Sequence, residues 1–125
     1  MAKQIITVPN KPNLPLSPGI KAGDFIFVTG QGGFKNPATG EEIKGIEAQT
    51  RQCLDNMKAV LEAAGSSLKD VVKVNIYLRN VDDFAKMNEV YQSYFPEDPP
   101  ARTTVQPGLI TPAMLIEIES VAYSP

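Results

Sequence analysis

The spacing of hydrophobic and polar positions changes several times along the chain, and each change marks a new element. Lys3 to Val8 (KQIITV) is short and β-branched, which predicts a first strand. Pro9, Pro12, Pro15 and Pro18 follow, and their fixed φ and missing N–H forbid helix and favour an extended loop. Ile20 to Thr29 (IKAGDFIFVT) predicts a strand, or a hairpin turning at Gly23-Asp24, ended by Gly30, Gly32 and Gly33. Asn36 to Gly40 is a turn of proline and glycine chemistry. From Ile46 to Ala64 the period becomes helical. Ile46, Thr50, Cys53, Leu54, Met57, Val60, Leu61 and Ala64 recur at helical spacing, with Glu47, Arg51, Gln52, Asp55, Lys58 and Glu62 opposite. Gly65 supplies the left-handed residue that ends such a helix.

Val71 to Arg79 alternates. Val72, Val74, Ile76 and Leu78 form one face and Lys73, Asn75, Tyr77 and Arg79 the other, which predicts a strand packed under a helix on one side. A second helix is predicted from about Val81 to Phe95, capped by Asn80 or Asp82 and stopped by Pro96. Its apolar stripe is Phe84, Met87, Tyr91, Tyr94 and Phe95, and Asn88 falls inside that stripe. Strands at Thr103 to Gln106 and Met114 to Tyr123 complete the chain. Strands, helix, strand, helix, strands is the order of an α+β fold: a mixed sheet of about six strands with both helices on one face.

The last strand is the least ordinary. Met114, Ile116, Ile118, Ser120 and Ala122 make one face, and Leu115, Glu117, Glu119, Val121 and Tyr123 the other. With the first face under the helices, the second ought to be solvated, yet it mixes large apolar groups with two carboxylates. Such a face points to burial against another subunit with a polar pocket inside the contact. The plainer alternative is a charged strand open to solvent.

At 125 residues the chain fits one domain spanning positions 1–125. Hydrophobic residues at 42% and charged residues at 21% disfavour both disorder and a membrane-spanning protein. The more telling feature is absence: no histidine, no tryptophan and one cysteine, Cys53. This removes histidine-based nucleophile triads, zinc sites built on imidazole or several thiolates, and any internal disulfide. Catalysis must then run on carboxylates, arginine, hydroxyls, backbone groups or water, and no metal or cofactor is expected. Net charge is -2 and the lysines are scattered, so nucleic acid is not an expected partner. No secretory run and no stretch of about 20 apolar residues appears, and the cytoplasm is the expected compartment.

Single residues are ambiguous by chemistry alone. Arg102 sits where the Pro99-Pro100 segment enters a strand, a place from which a guanidinium can clamp a carboxylate at two points, although a surface ion pair is the commoner role. Asn88 either satisfies nearby backbone or contacts a ligand. Cys53 lies on the buried stripe and reads as packing. Gly30-Gln31-Gly32-Gly33 lacks the Gly-Lys-Ser/Thr element and following helix of a phosphate loop, and reads as a turn where backbone approaches a ligand or another chain.

Taken together, the chain resembles the RidA family, also called YjgF or L-PSP endoribonuclease, from about Gly19 to Tyr123. The resemblance rests on Ala22-Gly23-Asp24, Thr29-Gly30-Gln31, Thr39-Gly40, Ile46 to Gln52, Glu62 to Gly65, Val71 to Val74, Asn88 to Tyr91, Pro100-Ala101-Arg102 and Ile116 to Glu119, in that order and spacing. It implies a chorismate-mutase-like α+β fold assembled as a homotrimer, with ligand sites between subunits. It also implies hydrolysis of short 2-imino acids, such as 2-iminopropanoate and 2-iminobutanoate, to 2-oxo acids and ammonia.

On this resemblance Arg102 grips the substrate carboxylate and Glu117 holds and activates the attacking water. Thr29, Gly30 and Asn88 match positions lining or near the pocket, and Thr104 stands where a cysteine is common. Leu16 stands where many deaminating members have a tyrosine, and Gly32-Gly33 replace an apolar-proline pair. Losing that aromatic wall while gaining two flexible glycines is expected to enlarge or reshape the pocket. Two other functions stay open at this level: a noncatalytic trimer that binds small carboxylates, and a ribonuclease or translation inhibitor.

Overall fold

The structure, a computed structural model, describes residues 2–125. Six strands form: β1 (Gln4–Ile6), β2 (Gly19–Ala22), β3 (Phe25–Gly32), β4 (Val71–Leu78), β5 (Ala101–Val105) and β6 (Ile116–Tyr123). Two α-helices accompany them, α1 (Ile46–Ala63) and α2 (Phe84–Tyr94). The strands make one mixed sheet in the order β1-β2-β3-β6-β4-β5, the α+β arrangement expected. All neighbours are antiparallel except β4 and β5, whose parallel pairing requires a crossover, and α2 supplies it. The last strand in sequence therefore lies mid-sheet, between β3 and β4.

Helix α1 forms where the period predicted it. Ile46, Thr50, Cys53, Leu54, Met57, Val60 and Leu61 are buried against the sheet, and Gly65 at φ +78° follows the last turn. They meet Ile26 of β3, Val74, Ile76 and Leu78 of β4, and Ile116 and Ile118 of β6 in one apolar core. Each fully buried aliphatic side chain contributes about 1.5–3 kcal/mol. On β6 the inner residues Ile116, Ile118, Ser120 and Ala122 are buried, while Glu117, Glu119 and Val121 are half-buried on the outer face. Among the described residues no helix is long and apolar enough to cross a membrane.

The structure departs from the simple alternation at several points. β3 does not end at Gly30 but runs on to Gly32 through a bulge, in which Val28 pairs with Ser120 and Gln31 with Ile118. β4 carries another irregularity between Val71 and Lys73. It turns Val71 into the core and leaves Val72 45% exposed, where strict alternation placed Val72 inside. Neither Asn80 nor Asp82 caps α2 with its side chain; a 3-10 turn at Val81–Asp83 leads in, and Asp83 is the boundary residue. In α2, Met87, Val90 and Tyr91 are buried, as is Phe95 just past its end, whereas Phe84 is 44% exposed.

Two polar side chains fix the loop that feeds β6. Gln49 is 2% exposed and fully used: its Nε2 donates to the carbonyls of Ile43 and Ala113, each at 3.0 Å, and its Oε1 accepts from the Leu115 N–H at 2.9 Å. Arg79 donates from Nε to the Met114 carbonyl at 2.6 Å and from Nη2 to that of Thr111 at 2.9 Å.

Gly33 overturns the expectation of a flexible pair. It is buried, and a Cβ built on it would lie 2.0 Å from the Gln49 carbonyl oxygen. The loop after β3 thus presses directly on the α1 backbone, and neither side can yield. Gly33→Ala is expected to cost at least about 2–3 kcal/mol in urea unfolding. Gly108→Ala, where a Cβ meets nothing within 4 Å, is expected to stay within about 0.5 kcal/mol of the wild type.

Candidate functional site

The sequence-nominated residues form two groups. The first surrounds Arg102 on β5, the strand at one edge of the sheet. Arg102 and Thr104 pair in register with Val74 and Ile76, the buried positions of β4, which puts both on the helix-facing side. Phe84, Asn88 and Tyr91 follow one another at helical spacing on α2 and meet the guanidinium. Its central carbon is 4.9 Å from the Tyr91 ring centroid and 5.6 Å from that of Phe84. Its Nη1 donates to Asn88 Oδ1 at 2.8 Å.

Asn88 thus interrupts the apolar stripe because it accepts a bond from an arginine. Among the described residues no carboxylate accepts from Arg102, which leaves most of its five N–H donors free. Two buried hydroxyls beside it, Tyr91 Oη and Thr104 Oγ1, also have no partner. Burial pushes the Tyr91 phenol up to about 12, against the opposing pull of the Arg102 charge, so it stays neutral. The ring positions flanking Asn88 were visible in the sequence as a period. That they hold an arginine from a distant strand was not.

The second group lies on the other face. Glu117 points outward from β6, opposite Tyr77 and Gly32, half-buried and without a hydrogen-bond partner among the described residues. Its carboxyl titrates above the ordinary range, first because burial penalises the charge and second because Glu119 is close by. Glu119 itself is engaged, since Asn75 Nδ2 at 3.1 Å and Tyr77 Oη at 2.7 Å both donate to its Oε1. A Cβ on Gly30 would come within 2.8 Å of Glu117 Oε1, so glycine there lets the carboxylate lie over β3.

Four hydrogen bonds pin the β3 bulge beneath Glu117. The Thr29 hydroxyl donates to the Ser17 carbonyl and its N–H to that of Pro18, tying in the proline loop that carries Leu16. The Cys53 thiol donates to the Gln31 carbonyl at 3.0 Å, and Asn56 Nδ2 to that of Gly32 at 3.2 Å. Cys53 is buried, and burial together with the Glu117 charge drives its thiol far above the normal value; this is a packed, unreactive sulfur.

One chain does not bring Arg102 and Glu117 together. Arg102 pairs with Val74 and Glu117 with Tyr77, two strands over and three residues along, which separates their backbones by on the order of 14 Å. The two side chains also leave opposite faces of the sheet. Toward the far end of β6 from Glu117, the outer face carries Phe25, Phe27, Val121 and Tyr123, with Phe27 48% exposed and the rings of Phe25 and Tyr123 5.4 Å apart.

The raised Glu117 carboxyl makes stability depend on pH in a defined sense. The folded state holds this proton more tightly than the unfolded chain does. The contribution is therefore full below the ordinary carboxylate value of 4.5 and is lost as pH rises through the folded value. Glu117→Gln is expected to melt above the wild type at pH 7, with the difference vanishing at pH 4; thermal melts at both values check it.

The chain is similar to proteins of one kind. The model of the family described as "Endoribonuclease L-PSP" matches residues 8–124. A RutC family protein of Pyrococcus horikoshii is 53% identical, covering 97% of this chain and 98% of its own length. The crystal structure of the E. coli YjgF product superposes with a TM-score of 0.88 at 36% identity over 96% of this chain and 98% of that one. That of E. coli TdcF with bound serine gives 0.90 at 32% identity, over 98% and 99%.

Proposed function

The chain belongs to the endoribonuclease L-PSP family, which includes the YjgF and RidA proteins, and on that footing we propose that it hydrolyses 2-imino acids to 2-oxo acids and ammonia. The observation that carries this reading is the guanidinium of Arg102: held by three side chains of α2, free of any carboxylate among the described residues, and near two unpartnered hydroxyls. Such a group is prepared for a small carboxylate in two-point contact. That a related structure holds serine, a small amino acid with the same carboxylate, supports that class of ligand.

A protonated imine is electrophilic at C2 without further activation, so catalysis needs a positioned water and a base. Glu117 supplies the base. Its carboxylate takes a proton from water as the oxygen bonds to C2, giving a carbinolamine. The proton then passes to the nitrogen, the C–N bond breaks, and ammonia leaves. The electron pair on the hydroxyl oxygen closes the carbonyl of the 2-oxo acid as the hydroxyl proton returns to solvent. The raised pKa of Glu117 makes it a better base than an exposed carboxylate. No step requires histidine or a metal.

Because the two groups lie about 14 Å apart on opposite faces, a molecule this small needs Arg102 of one copy and Glu117 of another. The exposed apolar groups Phe25, Phe27 and Tyr123 on the same outer face as Glu117, further along the sheet, offer the contact surface. A contact of that kind repeated head to tail closes a ring, and we place three copies in it.

Arg102→Ala and Glu117→Gln are each expected to lose at least about 100-fold in imine hydrolysis, measured as 2-oxo acid formed from imine that an amino acid dehydratase releases. Co-assembling the two variants is expected to restore about a quarter of the wild-type sites, because a randomly mixed ring places an intact Arg102 opposite an intact Glu117 that often. Restoration absent from a mixed particle sinks the shared site. Wild type no faster than Arg102→Ala across the imines tested sinks the hydrolase. RNA is expected to survive the same preparations, and cleavage persisting in purified Arg102→Ala supports a nuclease instead.

A further inference from the structure

Beside Arg102, between the start of α2 and the edge strand β5, lies a cavity of about 260 Å³ lined by Leu78, Val81, Phe84, Thr104, Val105 and Gln106. Two of these residues join it to the guanidinium. Phe84 lines the cavity and also packs against Arg102. Thr104 lines it too, two residues beyond Arg102 on the same face of β5, a step of about 6.6 Å. Resting on the imine-hydrolysis reading above, we propose that this cavity receives the substrate side chain and selects 2-imino acids whose side chain is a branched hydrocarbon over those carrying only methyl.

The lining sorts chemistry by depth. With the carboxylate on Arg102, C2 and its nitrogen come near Thr104, whose buried Oγ1 has no partner among the described residues. Beyond it the walls are Leu78, Val81, Phe84 and Val105, all apolar. The amide of Gln106 is committed, its Nε2 donating to the Arg79 carbonyl at 3.0 Å. A polar or charged side chain entering there loses water and gains nothing, whereas an isobutyl group exchanges water for close packing. A methyl group leaves most of the space unfilled. The cation packed on the other side of Phe84 suits an occupant that is part of a small anion.

Val81 is the residue to change. It stands on the 3-10 turn, 60% exposed, so a large side chain there closes the cavity without disturbing the core. Calorimetric titration of the wild type is expected to show 4-methyl-2-oxopentanoate binding at least about tenfold tighter than pyruvate. Imine made by an amino acid oxidase from leucine is expected to be hydrolysed with a similarly higher kcat/KM than imine from alanine. Val81→Trp should abolish both preferences.

A wild type that prefers pyruvate, or a Val81→Trp variant that weakens both ligands equally, overturns the cavity assignment. The outcomes separate the two readings. Binding preference that Val81→Trp removes, with no imine turned over, keeps the cavity and sinks the hydrolase. Turnover of both imines without preference keeps the hydrolase and sinks the cavity.

Discussion

β6 pairs with β3 on one side and β4 on the other, and its two-residue alternation must satisfy both neighbours at once. Ile116 and Ile118 are wholly buried under the helices while Glu117 and Glu119 face outward. A slip of one residue drives both carboxylates into the core and both isoleucines out of it. That asymmetry fixes the register, and the neighbours adapt to it: β3 inserts Thr29 and Gly30 as a bulge, and β4 rotates Val71 inward. Gln49 and Arg79, gripping the loop just before β6, hold the strand where this register begins. The location of Glu117 is thus a by-product of core packing.

What the sequence disclosed followed from how local each cause is. Helix α1 was readable because its stripe and its terminating Gly65 lie in one window, and the faces of β6 because alternation needs only neighbours in sequence. Val72 was misplaced because its orientation is decided by β6, some fifty residues downstream. Gln49 escaped notice because its three backbone partners lie outside its helix. Gly33 looked flexible because composition cannot show what presses against it. The separation of Arg102 from Glu117 required the strand order, which no local pattern contains.

Polar satisfaction divides the molecule. Gln49, Arg79 and Glu119 are engaged by several bonds each, as structural polar groups should be. Three buried side-chain polar atoms among the described residues have no partner; two of them, on Tyr91 and Thr104, adjoin Arg102, and the third is Ser120 on the inner face of β6. An orphaned buried hydroxyl costs about 1–3 kcal/mol, so a pair at one edge of the sheet is a concentrated expense. Free donors on the adjacent cation make the same edge the place where a ligand recovers most.

Cys53 bears on how the molecule meets oxidants. Its thiol is the chain's one sulfhydryl, held over the Gln31 carbonyl beneath α1 and kept protonated by its surroundings. Sulfenic acid formation and mixed disulfides both begin from an accessible thiolate, which here requires α1 to lift from β3. Beside Arg102 the chain presents the oxygen of Thr104, an atom that peroxide does not attack. Thiol oxidation therefore finds no ready entry point in the folded chain, whose one sulfhydryl lies covered by α1 while an oxygen stands beside Arg102.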